Sequence, residues 1–277
     1  MIYSSVKDYA NIIKVCDTYI DFFGAKAYVA KAPLQIYYYQ KMICHTQLRF
    51  YKTALQTAEK CKHYLYPGTF NWFKYKELEF VLQMYLENYQ EAYEICYEVK
   101  AHDRFEFLSE NSSETWTVHG AYISYLALLG KITPRKSDRR CTKFRFGKFL
   151  NETPISFKDK SGANIAVRIL KMLFLIHQRK HDEVIDEADA LAKYHSRYVS
   201  KELQPREYYF IKMLLLIASS GFHKEGIIRK TEEYLSKIRR YAVDVTKPGS
   251  SLEVISYDHL WTMVLESLED HPARAAG

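Results

Sequence analysis

Apolar residues recur along this chain at i, i+3, i+4 and i+7 in blocks of helical length, the signature of amphipathic α-helices. In the first block, Val6 to Phe23, Tyr9, Ile12, Ile13, Cys16, Tyr19, Ile20 and Phe23 share one broad face. Pro33 opens a second block carrying Ile36, Tyr37, Met42 and Ile43, at a position where a helix tolerates proline. Blocks from Leu48 to Tyr64, Trp72 to Glu87, Tyr89 to Val99 and Thr115 to Leu129 follow, punctuated by Pro67-Gly68, Asn88 and Gly130. The second half repeats the habit in Ala163–Gln178, Asp182–Tyr198, Pro205–Ser220, His223–Tyr241 and Asp258–Leu268. Lys247 to Ser251 reads as a linker and His271–Gly277 as a frayed tail. The predicted fold class is all-α. Gly (10) and Pro (7) are too scarce for the many turns of a β-sandwich or barrel.

Helices joined by short loops pack antiparallel, and repeated hairpins bury their apolar faces by stacking. The second helices of three hairpins begin alike, at Tyr51-Lys-Thr-Ala54-Leu55, Tyr89-Gln-Glu-Ala92-Tyr93 and His181-Asp-Glu-Val184-Ile185. Small or apolar residues then follow at spacings of four and three: Ala54, Ala58, Cys61; Ala92, Cys96, Val99; Val184, Ala188, Leu191. This resembles the second helix of the tetratricopeptide repeat, although the Trp-x-x-Leu-Gly opening of that repeat's first helix is missing. Lys148 to Pro154, Phe210 to Leu215 and Tyr257 to Trp261 are also similar to a group of bacterial helical-repeat proteins with no agreed function. Such proteins are longer at the N-terminus, so the chain is expected to be a fragment. The resemblance implies one α-solenoid of five to six stacked hairpins over residues 1–277. Its parts are first hairpins at 1–130, an irregular basic insertion at 131–162, and further hairpins at 163–270.

The N-terminus lacks the pattern of a signal peptide, and Leu170–Ile176 and Met213–Ala218 are too short to span a bilayer. Cys16, Cys44, Cys61, Cys96 and Cys141 form no CxxC. An odd, scattered set fits buried thiols in a reducing compartment rather than a disulfide framework or a zinc site. The expected setting is cytoplasmic, with no membrane association.

Charge changes the picture in one place. Residues 131–160 hold ten Lys and Arg and three acids, a balance of +7 that equals the net charge of the whole chain. Arg135, Lys136, Arg139, Arg140, Lys143, Arg145 and Lys148 interleave there with Phe144, Phe146 and Phe149. Cations neutralise phosphates and rings stack on unpaired bases, so a nucleic-acid contact is one reading. In the other, the phenylalanines pin the insertion onto the helices and the charges stay in water. An acidic protein partner is a third reading.

Candidate chemistry is thin. There is no phosphate-binding glycine loop, GxSxG or HExxH. His177 and His181 are four apart with Asp182 adjacent, but a helix boundary near Lys180 separates their rings, so no metal and no cofactor are expected. Asp182, Glu183, Asp186 and Glu187 suit the positive end of a helix dipole. Cys141 stands among cations that would lower a thiol pKa. The remaining signal is aromatic, with 24 Tyr and 15 Phe. Tyr38, Trp72, Tyr75, Trp116 and Tyr122 fall on first helices of hairpins, which line the concave face of a solenoid, where tyrosine makes a good peptide lining. Most such rings serve equally well in helix packing, with the hydroxyl at the surface. The sequence therefore predicts a non-catalytic protein- or peptide-binding scaffold, with nucleic-acid association through the insertion as the alternative.

Overall fold

A computed structural model describes residues 8–26, 30–138, 163–241 and 253–269. They form α1 (Tyr9–Gly24), α2 (Lys31–Gln47), α3 (Tyr51–Lys62), α4 (Phe70–Tyr85), α5 (Tyr89–Ala101), a 3₁₀ turn (Asp103–Phe107) and α6 (Glu110–Leu128). Then follow α7 (Ala163–His177), α8 (His181–Tyr198), α9 (Pro205–Ser219), α10 (Lys224–Arg240) and α11 (Tyr257–Glu269). No strand occurs among the described residues. They divide into two compact units at Ser137/Asp138, where the sequence reading has a single array carrying an insertion.

Boundaries move where caps outweigh apolar period. Helix α6 begins at Glu110 rather than Thr115, because the Ser109 hydroxyl accepts the Ser112 amide at 3.4 Å and supports a polar first turn. Helix α2 runs on to Gln47, and α3 starts only at Tyr51, because the chain reverses at Arg49. Arg49 has φ 62°, its N–H donates to the Thr46 carbonyl and the Phe50 N–H to the His45 carbonyl. This is the Schellman closure. The same bond pair closes α4 around Glu87, α6 around Gly130, α7 around Arg179 and α9 around Gly221. Five helices thus end in one turn geometry with six left-handed residues, Gly221 being followed by Phe222 at φ 63°, and four of the six are not glycine.

In the first unit, helices pack in chain order, α1 on α2 through to α5 on α6, with α4 also touching α2. The predicted small residues do what small residues permit. Ala54, Ala58 and Cys61 of α3 and Ala92, Cys96 and Val99 of α5 are buried at 4% exposure or less. The first three lie in a core cluster with Met42, Tyr75, Leu78 and Leu82. Between these neighbours α4 is buried on nearly every face, Lys74 and Glu77 being half-buried exceptions along its middle. A helix packed on all sides needs apolar residues all round, so its pattern is nearly continuous rather than striped.

In the second unit, α7 is the equivalent buried helix, apolar from Ile165 to Ile176 apart from Arg168 and Lys171. Both cations reach Glu187 of α8, Arg168 at 3.1 Å and Lys171 at 2.5 Å. Packing again follows chain order from α7 to α11, but α11 also returns onto α7. Arg206 of α9 secures that return. It pairs with Glu253, ahead of α11, in a fully buried ion pair, and its Nη1 caps the end of α10 through the Ile238 carbonyl at 2.7 Å and the Tyr241 carbonyl at 2.9 Å. Glu253 also accepts the Tyr257 amide at 2.8 Å at the start of α11.

Candidate functional site

The first unit carries an open cleft of about 380 Å³ between the first turns of α4 and α6, lined by Phe70, Phe73, Arg104, Phe107, Leu108 and Ser112. Its floor is set by Gly68, which also lines it. Gly68 has φ 76°, and a Cβ there would lie 2.3 Å from the His102 ring, so only glycine admits this histidine. His102 packs 5.1 Å from Trp72, and its Nδ1 accepts the Arg104 amide at 3.1 Å, holding the 3₁₀ turn that presents Arg104 and Phe107. On the other side, Thr69 caps α4 by accepting the Trp72 amide at 3.3 Å.

Phe70 and Phe107 stand at the rim, 68% and 78% exposed. The helix starts leave partial positive charge near the cleft, and the exposed Arg104 guanidinium adds a full one. Such a site offers apolar contact to a side chain and a cation to an acidic or carboxylate group. The cleft lining holds no paired nucleophile and base. The sequence did not reveal it, because Phe70, Arg104 and Phe107 sit in element ends whose exposure depends on how α4 and α6 are placed.

The predicted groove residues are found elsewhere. Trp72 is 5% exposed and Tyr75, Trp116 and Tyr122 are wholly buried, so they pack helices together instead of lining an open surface. Tyr75 donates to Glu79 at 3.0 Å, and burial pushes its hydroxyl pKa strongly up. Glu79 also holds the buried Lys76 at 2.9 Å, which reaches Glu98 of α5 at 2.9 Å. Trp116 meets Phe80 and His119 edge-on. Only Tyr38 keeps a partly open ring, stacked on Tyr64 at 5.6 Å. The physical reason is that first helices here are covered on several sides, so aromatic residues on them meet neighbouring helices.

Of the basic candidates, Arg135 and Lys136 are described, whereas Arg139, Arg140, Lys143, Arg145 and Lys148 lie outside the described residues. Lys136 is exposed. Arg135 is fastened to α5. It pairs with Glu94, lies 4.7 Å over Tyr97, and its amide donates to the Tyr93 hydroxyl at 2.9 Å. Gln90 accepts the Thr133 amide at 2.9 Å just before it. The start of the basic segment is therefore pinned by polar contacts to α5.

The histidine pair is parted by the helix boundary expected near Lys180. His177 ends α7 with Nδ1 3.5 Å from Ser267, whereas His181 opens α8 stacked on Phe222 at 4.1 Å. No group of three or more His, Cys, Asp or Glu suited to a metal ion occurs among the described residues. Cys16, Cys44, Cys61 and Cys96 are buried and form no disulfide. Burial, with smaller help from neighbouring Cys44 and Asp17, pushes Cys16 up to about 11, and burial followed by Glu79 pushes Cys61 up to about 12. Cys141 lies outside the described residues. No described helix is long and apolar enough to cross a membrane.

Comparison with family models, with curated proteins and with solved structures returns no match.

Proposed function

We propose that this chain is a non-catalytic helical-repeat module that binds a protein or peptide segment in the cleft between α4 and α6. The observation that carries this reading is the pair of exposed rings, Phe70 and Phe107, facing one cleft beside Arg104. Two large rings left in water at one cleft mark a contact surface more than stability does. The ligand would place an apolar side chain between the rings and an acidic group or terminal carboxylate near Arg104. Tetratricopeptide-like hairpin repetition is part of the proposal. It is supported by the shared Schellman turn and by the small residues of α3, α5 and α8. Stacking into an open array fits the chain-order packing of the first unit, while the return of α11 onto α7 departs from it in the second. The buried thiols, none of them in a disulfide, fit a reducing, cytoplasmic setting.

Selection from a displayed peptide library, followed by affinity measurement on the selected peptides, tests the reading. Truncating a central aromatic anchor costs about 2 kcal/mol, or roughly thirtyfold in affinity, so Phe107→Ala and Phe70→Ala should each weaken binding by that order. Peptides that bind both variants as they bind the native chain would overturn the cleft as the site.

The nucleic-acid reading keeps one supporting observation, the concentration of net charge in residues 131–160. It predicts oligonucleotide binding that falls steeply with salt and is lost when Arg139, Arg140, Lys143 and Arg145 are neutralised. Arg135 contributes less, being already engaged by Glu94.

A further inference from the structure

Several lysines that are wholly or partly buried in this chain hold a carboxylate. Lys41 holds Asp17, Lys74 holds Glu77, Lys76 holds Glu79 and Glu98, and Lys171 holds Glu187. Lys212 of α9 is half-buried too, yet no carboxylate pairs with it among the described residues. Two tyrosine rings seat it instead, Tyr208 one turn earlier at 5.0 Å and Tyr234 of α10 at 5.9 Å. A ring face attracts a cation without supplying the carboxylate oxygen that a buried ammonium usually finds.

A second ammonium shares the seat. Lys237 of α10 lies 5.8 Å over Tyr234 and 5.4 Å over Tyr209, and it pairs with the exposed Glu233 at 2.5 Å. The rings are held from within, Tyr234 stacked on the buried Tyr209 at 6.0 Å and Tyr208 packed on His195 of α8 at 4.5 Å. Tyr208, Tyr234 and both lysines remain partly open to water. Two cations are thus gathered at one tyrosine against one carboxylate, and one positive charge is left unanswered.

That excess sets the class of ligand. A lone ammonium is a point charge without the fork of a guanidinium, and it suits a single carboxylate better than a phosphoryl dianion. The flanking tyrosines are the amphipathic lining that peptides favour. Because the rings already fix the lysine, little of its freedom is left to lose on binding. We propose that the Lys212 seat between α9 and α10 binds an acidic peptide. One aspartate or glutamate carboxylate sits on the Lys212 ammonium, and the adjoining chain crosses Tyr208 and Tyr234. The site lies within the second unit and does not rest on the cleft of the first.

Titration of the full chain, carrying isotope-labelled tyrosine rings, with a blocked tetraglutamate peptide tests this by NMR. Tyr208→Phe and Tyr234→Phe assign the two ring signals, and circular dichroism confirms helicity for each variant. Both signals should shift saturably, with half-saturation below about 1 mM at low salt. Lys212→Gln should weaken binding about tenfold. Glu233→Gln should strengthen it about threefold, because Lys237 is released from its partner, and a gain in affinity cannot come from loss of fold. Absence of a saturable shift up to about 10 mM peptide overturns the proposal, as does binding that survives Lys212→Gln unchanged. Weaker binding in Glu233→Gln overturns the shared seat. Inorganic phosphate that shifts the same signals at lower concentration than the peptide overturns the carboxylate and makes this a phosphate site.

Discussion

The five Schellman turns separate what a residue does from what it is. Gly130 and Arg49 occupy the same left-handed position, φ 67° and 62°. A side chain there costs about 1 kcal/mol, which glycine avoids. Nothing lies within 4 Å of a Cβ built at Gly130, so Gly130→Ala should lose only that conformational term, about 1 kcal/mol in urea denaturation. Arg49→Gly should run the other way or be neutral, since relieved strain offsets the added freedom of the unfolded chain. Loss of more than about 1 kcal/mol on Arg49→Gly would show that the Arg49 side chain, not the turn, matters. Arg206 is the opposite kind of residue, irreplaceable by type. Arg206→Met leaves Glu253 buried without its cation, and should cost about 3–5 kcal/mol. Full retention of stability would mean that Glu253 finds water or takes up a proton. Glycine-marked turns were legible in the sequence, as were the breaks at Asn88 and near Lys180; the left-handed residues Arg49, Glu87 and Arg179 were not, because hydrogen-bond closure imposes a conformation those residues do not prefer.

At the scale of elements, α4 and α6 meet through a buried histidine. His119 stacks 4.3 Å from Phe80 and beside Trp116, and burial, then Lys100 and Lys74, drives its pKa down to about 3. The unfolded chain therefore takes up this proton first on acidification, near pH 6.5. Stability from the neutral ring is intact above about pH 6.5 and lost as pH falls toward about 3, at a limiting slope of about 1.4 kcal/mol per pH unit. In His119→Phe, which keeps the stacking, that part of the slope should vanish between pH 6 and 4. An unchanged slope would assign the acid sensitivity to other groups, such as His45, His177 and His195, which burial also lowers. Element type and most element cores were readable from period alone. The fate of the aromatic residues was not: Trp116 and Tyr122 read equally well as lining or as core, and only the placement of α4 and α5 around them decides.

At the scale of each unit, the distinctive feature is the return of α11 onto α7. Phe210 stacks on Tyr257 at 4.2 Å and meets Trp261 edge-on, so the last helix completes the core instead of capping an end. Trp261→Ala should cost about 3–5 kcal/mol and remove hydrogen-exchange protection from α7 as well as α11. Protection lost in α11 alone would mark that helix as an independent appendage. Local period predicts α11 correctly as a helix but is silent on its partner, because α7 lies four helices earlier in the packing order. The cleft at Phe70 and Phe107 was invisible for the same reason, being made by segments distant in sequence.

The shared turn also makes three of these hairpins joints of fixed count. Its two closing bonds span a set number of residues, and the next helix begins two residues past Arg49, Glu87 or Arg179. Substituting the joint is cheap, but adding one residue would rotate the following helix by about 100°. In α3 such a rotation would carry Ala54, Ala58 and Cys61 off the face that meets α4 and turn charged neighbours into the core. Through these hinges the chain tolerates new spelling but no new letters.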